Sequence, residues 1–437
     1  MFHGFNMIHG DFCSEYTADV CNVIVPPRTE TRDQLFAILA LVNTYAPGSD
    51  FLLNQCEKFL QNRKHSTHGP PMFEDQMGRF SDLLVTYTNF ENTTDYVRIA
   101  HPMIATKCVQ LFRDHGLSMG EVTFLFLQNF CANTESPRLM QTTKSMLTLR
   151  EMQGKNEGKE RFSKLIRHVY EKEGKNKCRR LLMEASKIFQ ERTGFPQALA
   201  RCYYLMVDKR WPIYEKDYIN AEKWAKETIK RHPNNSFIID TLGQVHKHHL
   251  FHYVGNGEKK CQSEVLRLGL LAINAFQEEE MAAEKEEAEE SDNEATVNFS
   301  SIFNTRGKLG YLQVAEKLFE SLQKINRDWR DVLTCSKRIQ ESLAVQFTRK
   351  SRNLTINLRA EVKKRFGFFE KYLTYSKPDS MKDDPIYIRK RANDCYAKYV
   401  EKPPRVLKMM HEDEDEMEED VIVTMTDLQE FLRREDT

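Results

Sequence analysis

Four histidines form the densest group of side chains with chemical potential in this 437-residue chain. They are His246, His248, His249 and His252, and the second and last of them are one helical turn apart. Two imidazoles at that spacing on one helix face can share a metal ion such as Zn²⁺. However, no Cys or carboxylate stands beside them, and His246 also occupies the aromatic position of a repeat described below. We therefore expect no metal, no cofactor and no catalytic residue, with a metal-dependent enzyme kept as an alternative.

Basic residues provide a second candidate site. Residues 336–365 have a strong excess of Lys and Arg over acidic residues. The candidate nucleic-acid contacts are Arg359, Lys363 and Lys364. Such cations give a salt-dependent attraction to phosphates that is independent of base sequence. Two alternatives explain the same pattern and stay open. The cations could lie on solvated helix faces, or they could dock on the chain's own acidic segments at 278–294 and 412–420.

The elements that would carry these side chains follow a helical-repeat pattern. Two segments have the same order of residue types: Leu199, Ala200 and Tyr203 match Leu242, Gly243 and His246. The offset of 43 residues exceeds the roughly 34 of a tetratricopeptide unit, so residues 209–218, which include Trp211, are expected to be an insertion. A small residue at position 243 lets one helix approach its neighbour. We expect these six residues to set the helix stacking of a repeat that binds partners rather than catalyses.

Composition limits the class of protein. Lys plus Arg and Asp plus Glu each total 64, so the formal net charge is zero, and 40% of the residues are hydrophobic. A packed core with a heavily charged surface is therefore expected. No apolar run approaches the roughly 20 residues that cross a bilayer, and residues 2–10 lack a secretory signal pattern. The ten Cys form no CxxC pair, which favours free buried thiols and a cytoplasmic location.

Periodicity predicts a mainly α fold that begins with a small α+β module. Its elements are a buried helix at 35–42, a hairpin around 83–99, and helices that start at Pro102 and after Ser118. Thr31 with Gln34, and Ser118 with Glu121, have the spacing of a capping box. Helix, helix, hairpin, helix is the order of a winged-helix-like module.

Changes in composition predict six segments along the chain. They are an N-terminal extension at 1–30, the winged-helix-like module at 31–135, a tetratricopeptide-like repeat region at 136–280, an acidic linker at 281–298, a second helical region at 299–405, and an acidic tail at 406–437. The acidic residues that begin at Glu278 are expected to form a solvated loop or helix end, because few apolar side chains accompany them.

One of these segments carries a family resemblance. Residues 234–245 resemble the tetratricopeptide-like region of the sterile alpha motif domain-containing protein 9 and 9-like family. Further segments fit the same order in the chain. These are residues 40–49, 98–105, 197–201 and 366–372. The resemblance extends from about residue 30 to about residue 400.

The resemblance implies a cytosolic relative of the signal-transduction NTPases, active in innate antiviral defence and growth restraint. Family members also contain a sterile alpha motif, an Alba-like nucleic-acid-cleaving domain, a sirtuin-like domain and a P-loop NTPase. This chain resembles the winged-helix and repeat region and has no Gly-x-x-x-x-Gly-Lys-Ser/Thr sequence, which the phosphate cradle of a P-loop needs. We therefore expect a fragment or a shortened relative without enzyme activity. Its expected role is a scaffold or regulatory region that binds proteins or holds a homo-oligomer, with RNA or DNA binding as the alternative.

Overall fold

Helices form most of the described part of the chain, so the mainly α prediction is confirmed. The computed structural model describes residues 30–61, 72–89, 93–132, 136–151, 161–206, 217–256, 260–291, 305–337, 349–375 and 384–400. The predicted N-terminal extension, apart from its last residue, lies outside these ranges. The same is true of most of the predicted insertion, including Trp211, and of the acidic tail at 406–437.

The first helix, α1 (Thr31–Tyr45), is buried continuously from Leu35 to Asn43, as its apolar sequence predicted. The capping box expected of Thr31 and Gln34 is wrong: Glu30 is the N-cap residue, and no side chain caps this end. The Gln34 N–H donates to the Glu30 carbonyl at 3.2 Å. The helix thus begins at Thr31, the predicted cap residue itself, which places Thr31 in the first turn instead of at the N-cap position.

A three-stranded antiparallel sheet packs beside α1 in the order β1 (Phe51–Leu52), β3 (Thr94–Ile99), β2 (Leu84–Asn89). The predicted hairpin is confirmed, with Leu84 opposite Ile99 and Asn89 opposite Thr94. Asn43 connects helix and sheet, because its side chain donates to the Ser49 carbonyl at 2.5 Å and accepts the Ile99 N–H at 2.7 Å. Between β1 and β2 lie α2 (Leu53–Gln61), α3 (Phe73–Met77) and a 3₁₀ turn at Gly78–Leu83.

Within the described ranges, thirteen further α-helices follow along the chain. Their bounds are α4 (Pro102–Asp114), α5 (Met119–Phe126), α6 (Pro137–Thr148), α7 (Lys164–Glu173), α8 (Lys175–Ile188), α9 (Gly194–Leu205), α10 (Tyr218–Arg231), α11 (Ser236–Gly255), α12 (Gln262–Ser291), α13 (Thr305–Ile325), α14 (Trp329–Leu333), α15 (Arg349–Tyr375) and α16 (Pro385–Val400). The predicted starts of α4 and α5 are confirmed: His101 caps α4 before Pro102, and the Ser118 hydroxyl accepts the Glu121 N–H at 3.0 Å. The Glu121 carboxylate pairs with Lys177 on α8.

Helix α11 is shared by two hydrophobic cores. Leu242 belongs to a core that extends from α1 to Ala275 on α12, whereas Leu250 belongs to a second core that helices α12 to α16 complete. Both sides of α11 are therefore covered, and ten of its residues are buried. A helix buried on several sides needs apolar or small residues around its circumference rather than along one stripe. This explains why its sequence shows little helical amphipathicity.

Helix α12 continues through the start of the acidic stretch and ends at Ser291. The expectation of a solvated segment is wrong for Glu279 and Glu280, which are both buried. The physical reason is packing: α12 lies between α11 and α13, so the face that carries these two residues turns towards neighbouring helices. The exposed Glu284 fits the expected solvated end.

The expectations of free buried thiols and of no membrane-spanning helix can be tested on the described residues only. The eight cysteines in these ranges are free thiols, and six of them are buried, whereas Cys261 and Cys335 are exposed. None of the described helices combines the length and apolar character that crossing a bilayer requires.

Candidate partner-binding groove and the predicted site residues

The six residues expected to set the helix stacking lie on α9 and α11. Leu199, Ala200 and Tyr203 are buried on α9, and Leu242 joins the same core from α11. A side-chain hydrogen bond also links the two helices, since the Gln197 amide donates to the Thr241 hydroxyl at 2.8 Å. Helix α10 packs against both of them.

Gly243 contacts a helix that the sequence did not suggest. A Cβ atom at position 243 would lie 2.5 Å from Cε1 of Phe276 on α12, and one at Gly310 on α13 would lie 2.4 Å from the same atom. The Phe276 ring thus lies between two glycines, and it is fully buried. The close approach serves the α11–α12–α13 stack rather than the contact between α9 and α11.

Three of the four histidines of α11 take part in ring packing, and the fourth, His246, is buried. His246 is 4% exposed, and burial lowers its pKa to about 4. His249 stacks on Tyr218 with ring centroids 4.3 Å apart, and His248 lies beside Tyr204 at 5.0 Å. Among the described residues, no group of three or more His, Cys, Asp or Glu side chains converges as metal ligands would. The imidazoles therefore contribute to packing between α9, α10 and α11.

The predicted nucleic-acid contacts lie on α15 and differ in exposure. Lys363 and Lys364 are exposed, whereas Arg359 is half-buried and its Nε atom is buried without a hydrogen-bond partner. Residues 338–348 of the basic region lie outside the described residues.

Arg365 ends the basic run but points inwards. It is 4% exposed and forms two hydrogen bonds with Glu280 on α12, Nε–Oε1 at 2.7 Å and Nη2–Oε2 at 3.0 Å. Its guanidinium lies 3.5 Å from the centroid of the Tyr311 ring. A buried charge needs such a partner, so Arg365 holds α12 against α15 and contributes nothing to a basic surface.

A half-open cavity, the cationic groove, lies where α6, the start of α9 and the turn between α10 and α11 meet. Its volume is about 560 Å³. Three of its lining residues are cations that repeat analysis did not single out. These are Lys144 on α6, Arg150 just after α6, and Arg201 on α9. His232 and Asn235 line it from the turn before α11, and Phe237 from the first turn of that helix.

The groove is electrostatically one-sided. No Asp or Glu is among its lining residues, and no described carboxylate forms an ion pair with Lys144, Arg150 or Arg201. Burial, followed by the positive charges of Arg201 and Arg306, lowers the pKa of Arg150 to about 10. A guanidinium beside like charges and without a carboxylate partner favours the approach of an anion.

Two helices begin at the groove, and their N-termini differ in capping. The first turn of α9 has no side-chain cap. At the start of α11, the Asn235 side chain accepts the Ile238 N–H at 3.0 Å, and Glu286 accepts the Ser236 N–H at 2.9 Å. In the first turn of α9, Pro196 has no N–H and the Gln197 N–H donates to the Thr193 carbonyl at 3.1 Å. The N–H groups of Gly194 and Phe195 are therefore the ones left to interact with a ligand, since backbone N–H groups at a helix start attract anions.

Sequence reasoning missed this groove because Arg201 lies 51 positions after Arg150 in the chain. Lys144, Arg150 and Arg201 belong to no basic cluster, and only the packing of α6 against α9 brings them together. The repeat pattern concerned Leu199 and Leu242, and neither of them lines the groove.

Comparisons with known proteins support the resemblance seen in the motifs. The chain is 27% identical over 433 residues to human sterile alpha motif domain-containing protein 9, an alignment that covers 92% of this chain and 27% of the relative. It is 26% identical to the human and mouse sterile alpha motif domain-containing 9-like proteins, over 440 and 432 residues and again 92% of this chain. The chain spans only 26–27% of the length of these curated relatives. No family model matches the chain. No solved structure matches it either.

Proposed function

We propose that this chain, which is similar to the sterile alpha motif domain-containing 9 and 9-like proteins, is a non-catalytic helical scaffold that binds a protein partner. The observation that carries the proposal is the cationic groove on a stack of closely packed helices. Concave sites with apolar walls and a few polar groups commonly bind ligands, and we propose that a segment of another protein occupies this one. The role belongs to cytoplasmic antiviral and growth-restraint signalling, as the resemblance implies.

The packing of the chain supports a rigid binding surface. Helices α8 to α13 contact their neighbours in sequence order, as in a superhelix of tetratricopeptide-like repeats. We propose that the helices and the hairpin before them form a winged-helix-like unit, which packs on an NTPase core in a longer protein. Such a scaffold is also suited to holding a homo-oligomer.

A capture experiment tests the scaffold proposal. The immobilised wild-type chain is expected to retain a protein from virus-infected cells that the Arg201→Glu variant no longer retains, because charge reversal repels an anionic partner from the groove. The matched control is Lys363→Glu with Lys364→Glu, which reverses charge on α15 and should leave capture unchanged. Quantitative mass spectrometry with and without nuclease gives the measurement. Capture that nuclease abolishes, or that only the α15 variant loses, would contradict protein scaffolding through the groove.

Nucleic-acid binding through α15 remains the second candidate. Arg352, Arg359 and Lys363 fall on one face of this helix, because steps of seven and four residues are close to whole turns. Arg352 and Lys363 are exposed, and neither forms an ion pair with a described carboxylate. A row of about 16 Å matches several successive phosphates.

Salt dependence tests the second candidate. If α15 binds RNA, affinity for a 20-nucleotide single strand falls steeply as salt increases. Reversing Lys363 and Lys364 should then weaken binding and reduce the slope of log K against log salt by about 1.4, because each lost phosphate contact removes about 0.7. Fluorescence anisotropy at several salt concentrations measures both effects. Binding that is absent or insensitive to salt would dispose of this candidate.

A further inference from the structure

We propose that the cationic groove binds a phosphate monoester carried by a protein segment, namely a phosphorylated Ser, Thr or Tyr. This inference rests on the proposed scaffold function and specifies the chemistry of its partner. It is carried by the convergence of Lys144, Arg150 and Arg201 on one cavity of about 560 Å³ whose lining contains no carboxylate.

The negative charge of the ligand is complementary to the positive charge of the groove. A phosphate monoester carries about −1.5 to −2 at pH 7, and the three lining cations carry three positive charges. Arg150 and Arg201 approach from different elements, the end of α6 and the middle of α9. Each guanidinium can donate two parallel hydrogen bonds to phosphate oxygens. Together they can hold one phosphate from two sides.

The acidic side chain on α11, Asp240, forms no ion pair with a described cation. It lies one turn after Phe237, is buried, and accepts a hydrogen bond from Gln244 at 3.0 Å. Its charge acts on the Tyr204 hydroxyl, as do those of Arg201 and Arg150, but it is not among the lining residues. Glu286 is engaged by Ser236. No described carboxylate therefore pairs with these cations, and the positive potential of the groove is available to a ligand.

Backbone donors add to the cations. The uncapped first turn of α9 opens at Thr193 and Gly194, and both residues line the groove. A Cβ atom at Gly194 would meet nothing closer than 3.8 Å, so there is space beside this backbone. Phosphates commonly accept hydrogen bonds from N–H groups at such a helix start.

The apolar part of the groove favours a protein segment over nucleic acid. Leu149 is 63% exposed and Phe237 is 42% exposed, and both line the cavity beside the cations. A phosphorylated residue next to an apolar side chain would cover both kinds of surface. Nucleic acid would instead require cations spaced along a line of phosphates, whereas here they converge. The volume also exceeds that of a phosphate alone and lies within the range of about 300–1,000 Å³ of ligand pockets.

Binding of matched peptide pools tests the proposal. The probes are a randomised heptapeptide pool with a central phosphoserine, phosphothreonine or phosphotyrosine, the same pool without phosphate, and a ten-nucleotide uridine RNA. We expect the wild-type chain to bind the phosphorylated pool at least tenfold more tightly than its unphosphorylated twin. Arg150→Gln and Arg201→Gln should each remove at least tenfold of that affinity. Lys187→Gln, which removes one exposed charge on α8, should remove none.

Different results separate the two proposals. Equal binding of both peptide pools, with loss in the Arg201→Gln variant, would overturn phosphate recognition while leaving the scaffold proposal intact. RNA that binds more tightly than the phosphorylated pool and depends on Arg150 would overturn recognition of a protein segment. If the wild-type chain captures no protein partner in the experiment above, that result would count against the scaffold proposal instead.

A measurement on the unaltered chain guards against variants that fail to fold. Inorganic phosphate, added at constant ionic strength against chloride, should shift the amide NMR signals of Gly194 and Ala198 saturably. Signals of α15, such as that of Lys363, should stay unchanged. Shifts that are absent, or equal at both places, would overturn the proposal.

Discussion

The Gly243→Leu variant is expected to unfold or splay the stack of α11, α12 and α13. A Cβ atom alone would lie 2.5 Å from the Phe276 ring, and leucine adds three further carbons. The ring cannot retreat, because Gly310 on α13 bounds it on another side. Overpacking of this kind costs about 3 kcal/mol or more in a dense core. Circular dichroism and thermal melting should show lower helicity and a lower Tm.

A double-mutant cycle attributes this loss to the ring. Gly243→Ala should destabilise the chain, and Phe276→Leu in the same molecule should recover part of the loss, with a coupling energy of about 0.5–3 kcal/mol. Gly367→Ala is the matched control: it lies inside α15 with nothing within 4 Å of the added Cβ. That change should stabilise the helix by about 1 kcal/mol. Unchanged melting of Gly243→Leu would contradict the packing described for Phe276.

The Glu279→Gln variant is expected to be more stable than the wild type by about 3 kcal/mol at pH 7. Both carboxyl oxygens of Glu279 are buried without a hydrogen-bond partner. Burial, with help from the nearby charges of Asp240 and Glu280, raises its pKa from 4.5 to about 9. The unfolded chain releases this proton above pH 4.5 while the folded chain keeps it. At pH 7, which is about 2.5 units above the pKa of this group in the unfolded chain, the free energy of unfolding is therefore reduced by about 1.4 kcal/mol for each of these units.

The sign of the effect gives a specific pH profile. Below pH 4.5 the carboxyl is protonated in both states, so the two proteins should be equally stable with respect to this group. Between pH 4.5 and about 9 the wild type should lose stability relative to Glu279→Gln, and the difference should level off above that range. Urea unfolding at each pH measures it.

The matched control for this prediction is Glu284→Gln, one turn further along α12. Glu284 is exposed and lies 3.4 Å from Lys308. Lys308 keeps Glu280 as a second partner at 3.9 Å, and removing one exposed member of an ion pair changes stability by less than about 1 kcal/mol. A stability difference between Glu279→Gln and wild type that stays constant with pH would show that the carboxyl is ionised in the folded chain.

Secondary structure could be predicted where its signal lies in residues that are close together in the sequence. The burial of α1, the β2–β3 hairpin and the starts of α4 and α5 follow from apolar runs, a turn between β-rich segments, and caps such as Ser118. Each depends on residues a few positions apart. The capping box at Thr31 failed because one preceding residue, Glu30, took the cap position.

Packing partners could not be predicted in this way. The sequence indicated that a small residue at Gly243 permits close approach, but Phe276 on α12 is the residue that approaches, and it is 33 positions away. Likewise, Glu279 belongs to an acidic stretch, and composition alone suggested solvent exposure. Its burial depends on α12 lying between two other helices.

By itself, the sequence determined the helical character of the chain, its repeat pattern and its resemblance to a family, because these properties depend on spacing along the chain. Only the tertiary structure decided that Lys144, Arg150 and Arg201 line one groove and that Arg365 turns inwards to Glu280. The physical reason is that electrostatic potential depends on distance in space. Helix packing sets that distance, and residues far apart in sequence determine the packing.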